Sequence, residues 1–322
     1  MEPFALTVVV PCLNEAENID AVYREIVTEL GGQDGLEVLF IDDGSTDDTL
    51  PRIKDLARRN SEVSYLSLTR NFGVEAAFSA GYRYARHPWI LHLDADLQFP
   101  PAEARLLIAR ARDGYDAVFG VRVDRKDPWV RRAASAAHGW AARRLLGIEI
   151  PPNATTFRLV RAGLARRVVD LGLGTPYFLA TVPRLTSAWT TVPTAHRPRL
   201  RGSSKVTVRG LARHAMELFV GFSYRPLAVA CALSLLGAPA ALAAGACFLA
   251  GAPAAGAALL AAATAAGLAA LAVMGRYLMV VARGQPRPPQ FLIRAANVPV
   301  RPGDSLDPPS LDGAASAAGG CG

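Results

Sequence analysis

Two acidic clusters in the first hundred residues have the residue types of a site for metal and phosphate. Asp94, Asp96 and Gln98 alternate over five positions directly after the apolar run 89–93. Because alternate residues of an extended segment point to the same side, the two carboxylates and the amide should face one cleft. These oxygens suit a hard divalent cation, Mg²⁺ or Mn²⁺, whose remaining ligands a diphosphate supplies. The spacing therefore predicts a metal site at Asp94, Asp96 and Gln98.

The other cluster is the turn Asp42-Asp43-Gly44-Ser45-Thr46-Asp47-Asp48, which has four acids in seven residues. A helix N-terminus, which favours Asp and Ser, explains Asp47 or Asp48. It does not explain two adjacent carboxylates at the end of a predicted strand, where one of them must point into the cleft. A lone Asp-X-Asp is common in solvated turns, so this second cluster strengthens the prediction of a metal and phosphate site.

Positive charge follows the acidic clusters in two stretches, at 122–144 and at 197–205. The chain has 35 Lys and Arg against 28 Asp and Glu, a net charge of +7 carried mostly by Arg. Guanidinium groups bind phosphate through paired hydrogen bonds, although the second stretch could also be charge that flanks a membrane segment. RNA binding calls for interleaved aromatic residues, and Trp129 and Trp140 alone are thin support, so nucleic acid is not an expected partner.

The signatures of several other protein classes are absent from the sequence. A dinucleotide-binding turn requires glycines after the first strand, and none lies between Met1 and Leu30. Neither a P-loop nor a Gly-X-Ser-X-Gly motif occurs. The four cysteines are scattered, so neither a disulfide scaffold nor a zinc module is expected. The N-terminus lacks the basic start and the apolar length of a signal peptide, so this part should stay in the cytoplasm.

The elements that position the clusters read as alternating strands and helices. Apolar runs predict strands at 6–10, 37–41, 63–68, 89–93 and 117–121. Helical patterns follow at 15–30, 47–59, 73–86 and 101–112, with Asn14 as the N-cap of the first. This order predicts an α/β fold, with a mostly parallel sheet covered on both faces. Ligands of such sheets bind beyond the carboxyl ends of the strands, where both acidic clusters lie.

The segment from Pro226 to Gly275 has fifty consecutive residues without Asp, Glu, Lys, Arg or His. A membrane-spanning helix needs about 20 apolar residues, so this length predicts a two-helix transmembrane hairpin that turns at 251–253. The alternative is a pair of buried Ala-rich helices, although soluble helices of this length nearly always carry a charged face. Arg residues flank both ends and the turn is uncharged, which places both ends of the hairpin in the cytoplasm.

These observations divide the chain into five parts. They are a cytoplasmic catalytic domain at 1–205, an interfacial amphipathic helix at 206–225, two transmembrane helices at 226–283, a cytoplasmic basic segment at 284–301 and a disordered tail at 302–322. Small residues along both spans would allow close helix packing, within one chain or in a homo-oligomer.

In its motifs the chain resembles glycosyltransferase family 2, and within it the polyprenyl-phosphate group of dolichol-phosphate mannose synthase and the bactoprenol-phosphate glucosyltransferases. The matching stretches are VVPCLNEAENI, IDDGSTDDT, RNFGVEAAFSAGY, DADLQFPP, FRLV, RLRGSSKV and the tail motif GRYL…RPPQFLI. The resemblance covers roughly residues 5–294 in order, and DDGS together with DADLQ is its most specific part.

The resemblance implies a role for each matching residue. Pro11, Leu13 and Glu15 would border the nucleoside of a nucleotide-sugar donor, whose base would donate a hydrogen bond to Asp43. Asp94, Asp96 and Gln98 would hold the metal on its diphosphate, and Arg122 would contact the donor. The acceptor phosphate would be bound by Arg131, Ser135, Arg199, Ser204 and Lys205. Asp94, Asp96, Arg131 and Lys205 would form the catalytic set.

Three positions depart from the family pattern. Val74 follows RNFG where Lys or His is common, Thr156 replaces an Asp common in bacterial members, and Arg276 replaces a Glu. A sugar hydroxyl would need a base to accept its proton, whereas a polyprenyl phosphate is already anionic at neutral pH. The expected reaction is metal-dependent, inverting transfer of one sugar from a UDP- or GDP-sugar to undecaprenyl phosphate at the cytoplasmic membrane face. The alternatives are a transferase for another lipid or a small molecule, and a catalytically silent membrane scaffold.

Overall fold

The computed structural model describes residues 4–32, 35–122, 151, 154–172, 177–197, 225–283 and 290–305. The strands in these ranges are β1 (Leu6–Cys12), β2 (Leu36–Asp42), β3 (Val63–Leu68), β4 (Trp89–His92), β5 (Ala117–Arg122), β6 (Ala154–Arg161), β7 (Trp189–Thr194) and β8 (Ile293–Ala296). The helices are α1 (Ile19–Leu30), α2 (Thr49–Arg59), α3 (Val74–Tyr84), α4 (Ala104–Arg112), α5 (Ala162–Asp170), α6 (Phe178–Leu185), α7 (Arg225–Leu249) and α8 (Pro253–Arg283).

All eight strands form one sheet in the order β7-β5-β6-β4-β1-β2-β3-β8. The four central strands β4, β1, β2 and β3 are parallel to one another, and β5 pairs with β7 in parallel as well. Strand β6 runs antiparallel to both β4 and β5, and β8 runs antiparallel to β3. The predicted α/β fold with a mostly parallel sheet is confirmed.

The apolar central strands explain why helices cover the sheet on both faces. Val8 and Val9 of β1 are both fully buried, yet they belong to two different hydrophobic clusters. The cluster around Val8 includes Ile26 of α1, and the cluster around Val9 includes Phe78 of α3. Since successive strand residues point to opposite faces, each central strand contributes to both cores.

Local structure at the strand ends differs from the prediction at two points. Asn14 is not a helix N-cap: it has a positive φ of 55°, and α1 begins only at Ile19. Strand β4 ends at His92, so the segment from Asp94 to Gln98 is a turn rather than an extended continuation. The expected alternation nevertheless holds in this turn, because Ala95 and Leu97 are buried whereas the three polar residues are half-buried.

Helices α7 and α8 are the two apolar helices expected from the uncharged segment. Both are long and apolar enough to cross a membrane, with a mean hydropathy of 2.1 for Arg225–Leu249 and for Pro253–Met279. Gly251, with a φ of 76°, lies in the turn between them. A Cβ atom at Gly256 would lie 2.9 Å from the carbonyl oxygen of Ala244, so the two helices touch near this turn.

After α8 the chain adds an edge strand to the sheet, which the sequence analysis did not expect in its basic segment. Strand β8 pairs with β3, and Asn297 accepts a hydrogen bond from the amide of Tyr65 at 2.7 Å. Asp304 accepts hydrogen bonds from Arg83 at 3.1 Å and from the hydroxyl of Tyr84 at 2.6 Å. Residues 302–305, expected in the tail, are thus part of this packing, and 306–322 lie outside the described residues.

Candidate active site

The first acidic turn follows β2 and is held by hydrogen bonds within the protein. The amide of Asp43 donates to the carbonyl of Cys12 at 2.9 Å, which joins the ends of β1 and β2. The carboxylate of Asp42 accepts from the amide of Ser45 at 3.0 Å and from the hydroxyl of Ser67 at 2.8 Å. With only 1% of its surface exposed, Asp42 stabilises the turn and is not open to a ligand.

Asp43 holds the loop that precedes α3. Its Oδ1 accepts from the amide of Phe72 at 2.8 Å, and its Oδ2 accepts from the amide of Gly73 at 2.9 Å. Burial raises the pKa of Asp43, and these two amides oppose that rise. The loop comes so close that a Cβ atom at Gly44 would lie 2.5 Å from the carbonyl carbon of Arg70. Each carboxylate oxygen keeps a second lone pair, which is what the expected contact to a base would use.

The loop after β1 is joined to the same turn. Asn14 Oδ1 accepts a hydrogen bond from the backbone N–H of Thr46 at 2.9 Å. The backbone N–H of Asn14 donates to Ser45 Oγ at 3.0 Å. The amide of Glu15 donates to the hydroxyl of Thr49 at 2.9 Å. This loop contains the three residues expected to border the nucleoside, of which Pro11 and Glu15 are half-buried and Leu13 is exposed.

Asp47 completes this connection. Its Oδ1 accepts from Thr49 and its Oδ2 from the amide of Ala16 at 3.4 Å. Burial acts to raise the pKa of Asp47, but the hydrogen bonds from Thr49 and Ala16 outweigh it, so the pKa lies below its usual value. Asp47 is therefore ionised at neutral pH and fixes the position of the β1 loop.

The second acidic turn follows β4, and its carboxylates are more open. The hydroxyl of Thr156 donates to Asp94 Oδ2 at 2.7 Å, and Asp94 Oδ1 lies 3.7 Å from His92 Nε2. The side chain of Asp94 keeps 32% of its surface exposed. Asp96 Oδ1 accepts a hydrogen bond from the backbone N–H of Gln98 at 3.1 Å, which closes the turn. The threonine that departs from the family pattern thus orients one of the expected metal ligands.

The donor set of this turn fits a divalent cation of the Mg²⁺ and Mn²⁺ type. Among the described residues, no three His, Cys, Asp or Glu side chains are grouped so that they could hold a metal without a substrate. The turn contains two carboxylates, Asp94 and Asp96, and an amide side chain, Gln98, each half-buried. A cation that is normally held by one or two carboxylates and by substrate phosphates matches this partial set.

A cationic and aromatic group borders the second turn. The guanidinium of Arg122 lies 5.7 Å from the ring centre of Phe99, and the ring of His196 meets Phe99 edge-on at 5.1 Å. Burial and Arg122 lower the pKa of His196, and Asp96 opposes them. The amide of Arg197 donates to the carbonyl of Gln98 at 2.8 Å, so the second basic stretch begins beside the acidic turn. Sequence reasoning missed His196, although its place directly before that stretch was a usable signal.

Behind the second turn lies a buried polar cluster that sequence reasoning also missed. Arg158 Nε donates to the hydroxyl of Tyr82 at 2.8 Å, and this hydroxyl lies 3.0 Å from His92 Nδ1. Burial and the charge of Arg158 hold the pKa of His92 well below its usual range, so His92 is neutral. Burial raises the pKa of Glu75, with Arg158 opposing and Asp94 reinforcing the rise. The sequence signal for this cluster is weak, because its members come from α3, β4 and β6.

Five of the expected phosphate-binding residues cannot be placed in this site. Arg131, Ser135, Arg199, Ser204 and Lys205 lie outside the described residues. The expected interfacial helix at 206–225 also lies outside them, apart from Arg225. The described site residues lie at or just beyond the carboxyl ends of β1, β2, β4 and β5, which are strands of one sheet.

Comparison with known proteins gives matches over this same region. A profile of the family described as Glycosyl transferase family 2 matches residues 7–169. An uncharacterised glycosyltransferase of Synechocystis, sll0501, is 31% identical over 228 residues, which cover 70% of this chain and 71% of that protein. CsbB of Bacillus subtilis, also named as a glycosyltransferase, is 29% identical over 228 residues, covering 70% of this chain and 69% of CsbB.

Two solved structures illustrate the more distant matches. Glucosyl-3-phosphoglycerate synthase from Mycobacterium tuberculosis, solved with Mn²⁺, UDP and glucosyl-3-phosphoglycerate, is 17% identical with a TM-score of 0.45 and covers 68% of this chain and 78% of its own. TarS of S. aureus is 17% identical with a TM-score of 0.43 and covers 67% of this chain. The match spans 39% of the TarS chain.

Proposed function

Because the chain belongs to glycosyltransferase family 2, and is thus a glycosyltransferase that uses a nucleotide sugar, we propose that it glycosylates a polyprenyl phosphate. The donor is a UDP- or GDP-sugar, the acceptor is undecaprenyl phosphate, and the reaction takes place at the cytoplasmic face of the membrane. It depends on Mg²⁺ or Mn²⁺ and inverts the anomeric carbon.

The observation that carries this proposal is the contact between Thr156 and Asp94. The hydroxyl of Thr156 donates to Asp94 Oδ2 at 2.7 Å, where a carboxylate would stand in related bacterial sequences. A threonine hydroxyl cannot remove the proton of a sugar hydroxyl, so this position supplies no general base. An acceptor that is already ionised, such as a phosphate monoester, needs none.

The reaction then proceeds without a proton transfer. An oxygen of the acceptor phosphate attacks the anomeric carbon from the face opposite the leaving group. The bond from that carbon to the diphosphate breaks, and the diphosphate leaves with the electron pair. Asp94, Asp96 and Gln98 would hold the cation, which, when bound, offsets the negative charge that develops on the diphosphate. The guanidinium of Arg122 adds a fixed positive charge on the same side.

The two long apolar helices support a lipid acceptor. They lie between β7 and β8 in the chain, and both of these strands belong to the catalytic sheet. If α7 and α8 cross the bilayer as a hairpin, the chain returns to the side from which it left. The Arg-rich flanks support a cytoplasmic location for that side, where nucleotide sugars are available.

The test is a product assay by mass spectrometry on the detergent-purified full chain with Mn²⁺, undecaprenyl phosphate and a panel of UDP- and GDP-sugars. We expect a lipid at the mass of undecaprenyl phosphate plus one sugar residue. Release of free nucleotide diphosphate without a glycolipid would keep the transferase and reject the acceptor. If neither product forms, Mn²⁺-dependent binding of the sugar nucleotides distinguishes a donor absent from the panel from a silent scaffold.

A further inference from the structure

A chain of buried polar side chains leads to Asp94 from behind the acidic turn. Arg158 of β6, Tyr82 of α3 and His92 of β4 are 2%, 0% and 1% exposed. A fully apolar core would avoid the cost of desolvating them, since each buried polar group must find a partner. Their connection to a candidate metal ligand gives them a role that packing alone does not require.

The hydrogen bonds of this chain have one direction. The Nε–H of Arg158 can only donate, so the oxygen of Tyr82 accepts that bond at 2.8 Å. The Tyr82 hydroxyl also has one proton to donate, and the arrangement that uses this proton within the cluster has His92 Nδ1 as its acceptor at 3.0 Å. A neutral imidazole that accepts at Nδ1 carries its own proton on Nε2. The geometry therefore selects the Nε2–H tautomer of His92.

The Nε2–H of His92 faces Asp94. The distance from Nε2 to Asp94 Oδ1 is 3.7 Å, slightly longer than a hydrogen bond, and Nε2 has no hydrogen-bond partner among the described residues. The other oxygen of Asp94 accepts from Thr156 at 2.7 Å. Donors thus approach both carboxylate oxygens, from β4 on one side and β6 on the other.

Glu75 of α3 places a carboxylate near Arg158, the first residue of this hydrogen-bonded series. Glu75 is half-buried as a residue, but its Oε2 atom is enclosed, and its charge attracts Arg158 and repels Asp94. The guanidinium of Arg158 lies over the ring of Phe178 at 4.8 Å. These contacts hold Arg158 in the orientation from which its Nε reaches Tyr82.

We propose that Tyr82 and His92 are positioning residues for the metal and diphosphate site, and that they act by presenting the Nε2–H of His92 to Asp94. This inference rests on the proposed function, because it takes Asp94 as a ligand of the cation. Together with Thr156, these two residues keep the Asp94 carboxylate in one orientation before the donor arrives. Loss of a residue that orients a ligating side chain typically costs about 10- to 100-fold in metal affinity.

The first experiment measures Mn²⁺ binding to the full-length protein in detergent, with UDP and separately with GDP, by the loss of the EPR signal of free Mn²⁺. In Tyr82→Phe we expect the Kd for Mn²⁺ to rise about tenfold or more. Tyr84→Phe is the matched control, because it also removes a hydroxyl from α3, one that bonds to Asp304 instead. We expect its Kd to stay within about twofold of the wild type, as for a change outside the metal site.

Equal Kd values for Tyr82→Phe and the wild type would overturn this inference and leave the proposed function intact. If the wild type itself binds Mn²⁺ with neither UDP nor GDP, the inference and the metal dependence of the proposed function both fail. In steady-state assays a positioning role should raise the KM for Mn²⁺ more than it lowers kcat, whereas general loss of structure would lower kcat without that split.

A second experiment leaves Tyr82, His92 and Arg158 unchanged, so it does not depend on whether Tyr82→Phe folds. The ¹⁵N chemical shifts of the five histidines report their tautomers in the metal-free protein. Substituting the other four one at a time assigns the signal of His92. We expect the Nε2–H form, and the Nδ1–H form would overturn the inference.

Discussion

The two acidic turns follow β2 and β4, the strands on either side of β1 in one sheet, yet their surroundings differ. In the turn after β2, Asp42 and Asp43 are 1% and 3% exposed, and all four of their carboxylate oxygens accept hydrogen bonds from the protein. In the turn after β4, Asp94 keeps a third of its side chain exposed, and Asp96 is half-buried. The first turn is held by hydrogen bonds within the protein, whereas the carboxylates of the second are more exposed to solvent.

The difference comes from the loop beside each turn. Gly44 and Gly73, both with positive φ, let the loop at 70–73 approach so closely that its amides reach Asp43. At Asp94, by contrast, side chains approach the carboxylate: the hydroxyl of Thr156 lies 2.7 Å from Oδ2, and His92 Nε2 lies 3.7 Å from Oδ1. A buried carboxylate that accepts hydrogen bonds from the protein contributes to stability, whereas a more exposed one is accessible to a cation.

The largest expected effect separates the turns by activity. Asp96→Asn should lower kcat by roughly 10²- to 10³-fold, because removing a carboxylate from the cation weakens charge stabilisation on the leaving diphosphate by several kcal/mol. Its Tm should change little, since Asp96 is half-buried at an open turn. Asp113→Asn, which alters an exposed pair with Arg110, is the control. Full turnover by Asp96→Asn would remove the metal role from this turn.

The next effect separates the turns by stability. Asp43→Asn places an amide group against the N–H groups of Phe72 and Gly73, so one buried donor loses its acceptor. We expect a loss of about 1–3 kcal/mol in the free energy of unfolding, or roughly 2–10 °C in Tm. Asp20→Asn, in an exposed pair with Arg52, is the control by thermal denaturation. Loss of donor binding with an unchanged Tm would instead indicate that Asp43 acts only on the base.

A smaller effect tests the side-chain donor at the open turn. Thr156→Val removes the hydroxyl that reaches Asp94 and should raise the KM for Mn²⁺ by about tenfold, whereas Thr156→Ser retains the hydroxyl and should stay near the wild type. Titration of activity against Mn²⁺ measures both variants. Equal KM values for Val and Ser would show that this hydrogen bond does not orient Asp94.

The sequence predicted the parts of this fold that follow from local patterns. Runs of buried apolar residues identify β1 to β5, and the acidic turns lie at their carboxyl ends as expected. Strand β8 has only four residues and pairs with β3, more than two hundred residues earlier in the chain, so no local pattern marks it. Asn14 has the side chain of an N-cap, but its contacts with Ser45 and Thr46 draw it into the turn instead.

The sequence identified the acidic residues at the strand ends but not the side chains that contact them. Asp42 and Asp94 are the same residue type after the same kind of strand. Only the structure shows that Ser45 and Ser67 donate hydrogen bonds to Asp42. The contact of Tyr82, His92 and Arg158 joins three elements, so spacing along the chain could not reveal it.

The smallest effect concerns pH, and it distinguishes two acids within the first turn. The pKa of Asp47 is lowered in the folded protein, so its stabilisation is present above the unfolded value of 3.8 and is lost as the pH falls through the lower folded pKa. The pKa of Asp43 is raised, so its contribution is present below 3.8 and is lost as the pH rises through the higher folded pKa.

Thermal denaturation of the wild type, Asp47→Asn and Asp43→Asn across the acid range measures both contributions. The Tm deficit of Asp47→Asn should grow as the pH rises, because the wild type gains a stabilising charge that the variant lacks. The deficit of Asp43→Asn should shrink over the same range, since the wild type must then ionise a buried carboxyl. Parallel Tm curves for the two variants would contradict the prediction that folding shifts the pKa values of Asp43 and Asp47 in opposite directions.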